Sequence, residues 1–82
     1  MTGRIMTAEQ KRKYDFFTVE LARTLTLMRD EQTMVRYYIK DNGTEIVEVF
    51  DRFGNEIAKT DATSRTLLVV THNILVMLTH GG

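Results

Sequence analysis

Two turn signals in the middle third of this 82-residue chain limit what it can fold into more than any other feature. Asp41-Asn42-Gly43-Thr44 and Asp51-Arg52-Phe53-Gly54-Asn55 separate three short runs rich in Val, Ile, Tyr and Phe. Asn42-Gly43 supplies the positive φ angles of a two-residue type I′ hairpin turn, and Arg52-Phe53-Gly54 suits a three-residue loop closed by a left-handed glycine. The spacing predicts strands over 34–40, 45–51 and 55–60, joined as an antiparallel meander.

The flanking segments read as helices. Thr7 is a suitable N-cap and Gln10, three residues on, completes a capping box, so a first helix is expected over 8–30, with residues 1–6 as a flexible tail and 7–82 as a single domain. Tyr14, Phe17, Leu21, Leu25 and Met28 recur at three- and four-residue steps and form one inward stripe, with Phe16 and Leu27 on a patchier second edge. In the last segment Asp61, Thr63 and Ser64 offer capping side chains and Gly81-Gly82 a C-cap, which favours a helix over 63–79 although Leu67 to Val70 would also suit a buried strand. The resulting fold class is α+β, in the order helix, three-stranded antiparallel meander, helix (αβββα). Leu21, Leu25, Ile39, Ile46, Val70 and Ile74 are the expected core.

A chain this short buries only about 60% of its unfolded surface. It has no cysteine, hence no disulfide, and His72 and His80 have no carboxylate at a ligand-like spacing. No metal, cofactor or small-molecule substrate is expected, and self-association is the remaining device for stabilising so small a domain. Leu67, Val70, Ile74 and Leu78 form the inward side of the last helix, leaving Leu68, Val69 and Val76 on the other side. Val69, His72 or Asn73, Val76 and His80 repeat at the spacing of a helix-pairing seam. Leu68, Val69, His72, Asn73 and Val76 are therefore candidate interface residues, with a second copy of the chain or another protein as the partner.

A two-residue turn at Asn42-Gly43 would pair Ile39 with Ile46, Tyr37 with Glu48 and Val35 with Phe50 on the helix-bearing face. It would pair Tyr38 with Val47 and Arg36 with Val49 on the opposite face, which Ile57 and Lys59 extend. An aliphatic centre ringed by Arg36 and Tyr38 has the composition of a protein-binding patch, so Arg36, Tyr38 and Val49 join the candidate interface.

Eleven basic and eleven acidic residues cancel. Residues 1–29 nonetheless hold six basic and three acidic side chains, and residues 30–61 hold four basic and eight acidic. The N-terminal Met-Thr-Gly-Arg-Ile-Met lacks the apolar core of a secretory signal, and the apolar window 67–78 falls short of the ~20 residues that span a bilayer. A cytoplasmic location without a membrane partner is expected.

In element order the chain resembles the double-stranded-RNA-binding domain. That resemblance implies phosphate contacts from a lysine-rich start to the last helix and a minor-groove contact from the first hairpin loop. Here the last helix opens with Asp61-Ala62-Thr63-Ser64-Arg65 and the loop with Asp41, both too acidic for that use. Lys11, Arg12 and Lys13 are the one basic triplet and the candidate site for a nucleic-acid alternative. No nucleophile elbow, phosphate loop or zinc spacing is present, and Glu48 facing Tyr37 is the one pair worth inspecting for catalysis. The expected function is that of a non-enzymatic protein-interaction module, homo-oligomeric as a homodimer, that acts as an adaptor or inhibitor by covering a surface of a partner protein.

Overall fold

The computed structural model describes residues 6–80. A long N-terminal helix comprises α1 (Ala8–Asp15), a wider π-helical segment (Phe16–Leu21) and α2 (Ala22–Arg29). Three strands follow, β1 (Met34–Ile39), β2 (Glu45–Phe50) and β3 (Glu56–Asp61), then α3 (Leu67–His80). The sheet is antiparallel in the order β1-β2-β3. The N-terminal helix packs on β1 and α3 on β3, so both helices lie on one face of the sheet. This is the expected αβββα arrangement. The last segment is a helix, as its length suggested, and the C-cap assigned to Gly81-Gly82 lies outside the described residues. So do residues 1–5 of the expected tail, whereas Met6 packs against the core.

Thr7 caps the first helix as its sequence requires: Gln10 N–H donates to Thr7 Oγ1 (3.1 Å) and Thr7 N–H to Gln10 Oε1 (3.0 Å). The helix ends at Asp30, which adopts left-handed φ of 53° and lets Glu31 N–H reach back to the Thr26 carbonyl. Its buried row is Lys13, Phe17, Leu21, Leu25 rather than a stripe beginning at Tyr14. In a regular α-helix each four-residue step overshoots a full turn by about 40°, so that row would wind about 120° round the axis. The π segment holds more residues per turn and takes up the drift. Lys13 is thereby turned under the helix and Tyr14 is displaced to its flank, half exposed. Met28, expected inside, is exposed near the helix end, and Phe16, expected on the outer edge, packs against the core.

The first hairpin differs from its expected register by one residue. Lys40 N–H donates to the Thr44 carbonyl and Gly43 N–H to the Lys40 carbonyl, which makes a three-residue Asp41-Asn42-Gly43 loop with Gly43 at φ 91°. Asn42 Oδ1 accepts from Thr44 N–H and holds the loop in this form. One extra loop residue pairs Val35 with Val49, Tyr37 with Val47 and Ile39 with Glu45. Because side chains alternate across a strand, the slip reverses both faces of β2. Val47 and Val49 enter the core with Val35 and Tyr37; Ile46, Glu48 and Phe50 turn to the open face with Arg36 and Tyr38. Ile46 is thus buried among open-face side chains rather than under the helices, whereas Ile39 packs partly against the core as expected.

Arg52-Phe53-Gly54 forms the expected three-residue loop, with Asp51 Oδ1 accepting from the N–H groups of Phe53 and Asn55. A bulge at Ile57 follows, since Phe50 faces Glu56 while Val49 faces Ala58. Val47 accordingly pairs with Thr60 and Val49 with Ala58, one residue beyond the expected Lys59 and Ile57. The start of α3 also lies later than expected. Asp61 Oδ1 accepts from Thr63 N–H and Ser64 takes φ of 57°, so Asp61, Thr63 and Ser64 shape the approach while Thr66 Oγ1 accepts from Val69 N–H as the cap.

Leu21, Leu25, Val70 and Ile74 are buried as expected. Leu25→Ala and Ile74→Ala should each cost ~2–5 kcal/mol of stability, whereas Leu27→Ala, on an exposed side chain, should stay within ~0.5 kcal/mol. Urea midpoints of the three variants check the assignment.

Candidate interaction surface

The buried Lys13, Glu45 and Tyr37 cluster is held too tightly to serve as a site. Lys13, with 3% of its surface exposed, donates from Nζ to Glu45 Oε1 (2.9 Å) and to the Ala62 carbonyl (3.0 Å). Tyr37 OH donates to the same Glu45 oxygen (2.8 Å), and burial, reinforced by this bond, pushes its phenol well above the usual tyrosine range. Ala62 N–H in turn donates to the Glu45 carbonyl, and Glu45 N–H donates to Thr63 Oγ1. The first helix, the centre of the sheet and the approach to α3 are thus joined at one buried ion pair.

The open sheet face is organised round a second carboxylate. Glu48 is buried and accepts from Arg36 Nε (2.8 Å) and Tyr38 OH (3.2 Å), with Lys59 Nζ 3.8 Å away. Arg36 lies over the Tyr38 ring at 4.7 Å and reaches Phe50 at 5.9 Å. Glu48 therefore faces Arg36 and Tyr38, and the Glu48–Tyr37 pair anticipated from a two-residue turn does not form. Arg36 and Tyr38 are on the open face as expected. Val49 is not: it is fully buried beneath the helices, because the longer loop turned β2 over.

On α3 the two sides separate as the sequence predicts. Val70 and Ile74 are fully buried, with Leu67 and Leu78 partly so. Leu68 is 79% exposed, Val69 45% and Val76 41%; His72 is exposed and Asn73 half-buried. These five residues lie on one side of the helix, and no Asp, Glu, Lys or Arg occurs from Thr66 to His80. A surface helix that shows water three large aliphatic side chains and no formal charge is unusual, since exposed helix faces are normally charged. A cleft of about 350 Å³ adjoins its first turn, lined by Glu9, Arg12, Lys13, Thr66, Leu67 and Leu68.

The basic triplet is divided. Lys11 and Arg12 are exposed, but Lys13 is buried and fully engaged, so two cations remain for the nucleic-acid alternative. The signal missed in the sequence was that Lys13 stands four residues before Phe17, in line with the buried row once the helix widens. Other large apolar side chains, Leu27, Met28, Met34 and Phe53, are also exposed. Among the described residues no helix is long and apolar enough to cross a membrane, and no group of three or more His, Cys, Asp or Glu side chains is placed to hold a metal ion.

Comparison with protein-family models, with curated proteins and with solved structures finds no match to this chain.

Removing one member of the buried pair should strand the other. Lys13→Met and Glu45→Gln should each cost ~3–5 kcal/mol, and the double variant less than the sum, because an uncompensated buried charge is the larger part of each loss. Urea denaturation of the three variants measures the coupling. For the open basic residues, a labelled RNA duplex at physiological salt should show no saturable submicromolar binding; if it does, and Lys11→Glu or Arg12→Glu removes it, the nucleic-acid reading is the better one.

Proposed function

We propose that this chain is a non-enzymatic protein-interaction module that self-associates through the outer side of α3 and, in that state, acts as an adaptor or inhibitor by covering a surface of a larger partner. The observation that carries the reading is the uncharged stripe of Leu68, Val69, His72 and Val76. A second copy suits it because two such stripes can meet without burying an unpaired charge, and because a two-fold contact needs only one self-complementary surface. The chain's equal numbers of basic and acidic residues impose no net repulsion between copies.

The energetics place this contact at the weak end. Each aliphatic side chain fully removed from water contributes ~1.5–3 kcal/mol, and both copies contribute. Against this stands an association cost of ~4–15 kcal/mol, and a 14-residue helix is only about 21 Å long, so the contact is smaller than a standard interface. Micromolar dissociation is the expected range, near ~8 kcal/mol of binding free energy. The open face bearing Arg36, Tyr38 and Phe50 is then available to a different protein, with an exposed guanidinium over aromatic rings of the kind enriched at binding hot spots.

Light scattering of the purified chain at a concentration well above the micromolar range should approach twice the chain mass. Val76→Glu should give a single chain mass while keeping its circular dichroism, and Phe53→Glu, at a hairpin tip, should leave the dimer intact. A monomeric wild type contradicts the proposal. A wild-type dimer that survives Val76→Glu but is lost in Tyr38→Ala would transfer the contact to the open sheet face.

A further inference from the structure

His72 stands at the midpoint of the exposed apolar stripe. Leu68 lies one turn before it and Val76 one turn after, each separated from it by four residues. Resting on the self-association just proposed, we infer that two α3 helices pair antiparallel about an axis passing His72, with Leu68 of one copy against Val76 of the other, and that the pair separates when His72 takes up a proton. Symmetry supplies the register. If His72 meets its own copy, Leu68 must meet Val76, so these two aliphatic side chains of the stripe each find an apolar partner. Shifting by one turn in either direction sets His72 against Leu68 or Val76 and leaves an aliphatic residue uncovered.

This arrangement places two imidazoles side by side in an apolar seam. Neutral, they can share a hydrogen bond, one ring donating and the other accepting. Protonated, they become two like charges in contact, and α3 carries no carboxylate to offset them. On α3 the only other ionisable side chain is His80, and Arg65 precedes the helix; in the antiparallel register His80 approaches Ser64 and Arg65 of the other copy, which adds a third cation rather than a carboxylate. From β3 the helix-side residues Ala58, Thr60 and Ala62 carry no charge, and Lys59 and Asp61 lie on the far face of the sheet. From the first helix, Glu9 and Arg12 flank the cleft at Leu68, one turn away, and Lys13 there is committed to Glu45.

The direction follows from which state prefers the proton. In the separated chain His72 is exposed, so a charge on its ring stays in contact with water. In the dimer the charged form is disfavoured, so the group's proton affinity is lower there. Dimer stability is then present where the imidazoles are neutral and is lost as the pH falls. The fold itself should outlast this change. The Asp51 carboxyl is held below its usual value, chiefly by the Asn55 N–H, and that of Asp61, chiefly by the Thr63 N–H, so their contribution to folding persists to more acidic conditions.

Sedimentation velocity at about pH 7.5 and about pH 5.5, with circular dichroism on the same samples, tests the inference. The expected result is a dissociation constant at least tenfold higher at the lower pH with unchanged secondary structure. His72→Gln should remain dimeric at both, and His80→Gln should keep most of the acid response. A dimer at the higher pH whose affinity does not change on acidification, or a His72→Gln variant that dissociates as much as the wild type, overturns the inference while leaving self-association in place. A wild type that is monomeric at both pH values overturns self-association and the inference with it.

Discussion

The Lys13–Glu45 ion pair is the point on which the rest of the structure depends. It lies at the end of the sheet where the first helix begins and where the chain leaves β3 for α3, and Lys13 also binds the Ala62 carbonyl. That carbonyl and the Glu45 N–H face each other across β2 and β3, yet each is taken by a side chain, Lys13 and Thr63. Only the Ala62 N–H to Glu45 carbonyl bond of the ladder is kept there, and side chains brace the rest, setting both helices against one face of the sheet. A buried pair of this kind is weak evidence of net stability but a strong constraint on geometry, because any other placement leaves a charge without a partner.

Both members reach that position through small departures from regular geometry. The π segment turns Lys13 inward in place of Tyr14, and the third loop residue at Asp41-Asn42-Gly43 turns Glu45 inward in place of Ile46. Either change alone would bury one charge opposite an apolar neighbour. Together they bring the two charges to 2.9 Å. The two irregularities are thus coupled in their consequence, although they lie in different elements.

This also explains which parts of the fold could be read from the sequence. Element order, the Thr7 cap, the Arg52-Phe53-Gly54 loop and the buried side of α3 follow from local patterns that no distant contact opposes. The register of β1 on β2 does not, because Asn42-Gly43 is compatible with loops of two or three residues, and the choice reverses the faces of β2. A two-residue loop puts Val49 on the surface and Ile46 in the helix-covered core, and the three-residue loop exchanges them. The inward turn of Lys13 was hidden because a fixed period of 3.6 residues cannot represent a wider turn, and a lysine in a helix is ordinarily solvated. Of the candidate contact surface, the α3 stripe was visible because its residues keep a regular helical period, whereas the open sheet face inherited the register error.

Packing of the two helices on one face of the sheet leaves the molecule with two different kinds of surface. The open sheet face is polar and internally paired round Glu48. The outer side of α3 is aliphatic and uncharged, and that contrast is the reason for proposing that a second copy covers it. Isotope-filtered NOE spectroscopy on a mixture of labelled and unlabelled chains, at neutral pH and a concentration well above the dissociation constant, tests this most directly. Intermolecular contacts between Leu68 and Val76 methyl groups are the predicted result; intermolecular contacts confined to other surfaces, or none at all, would contradict it.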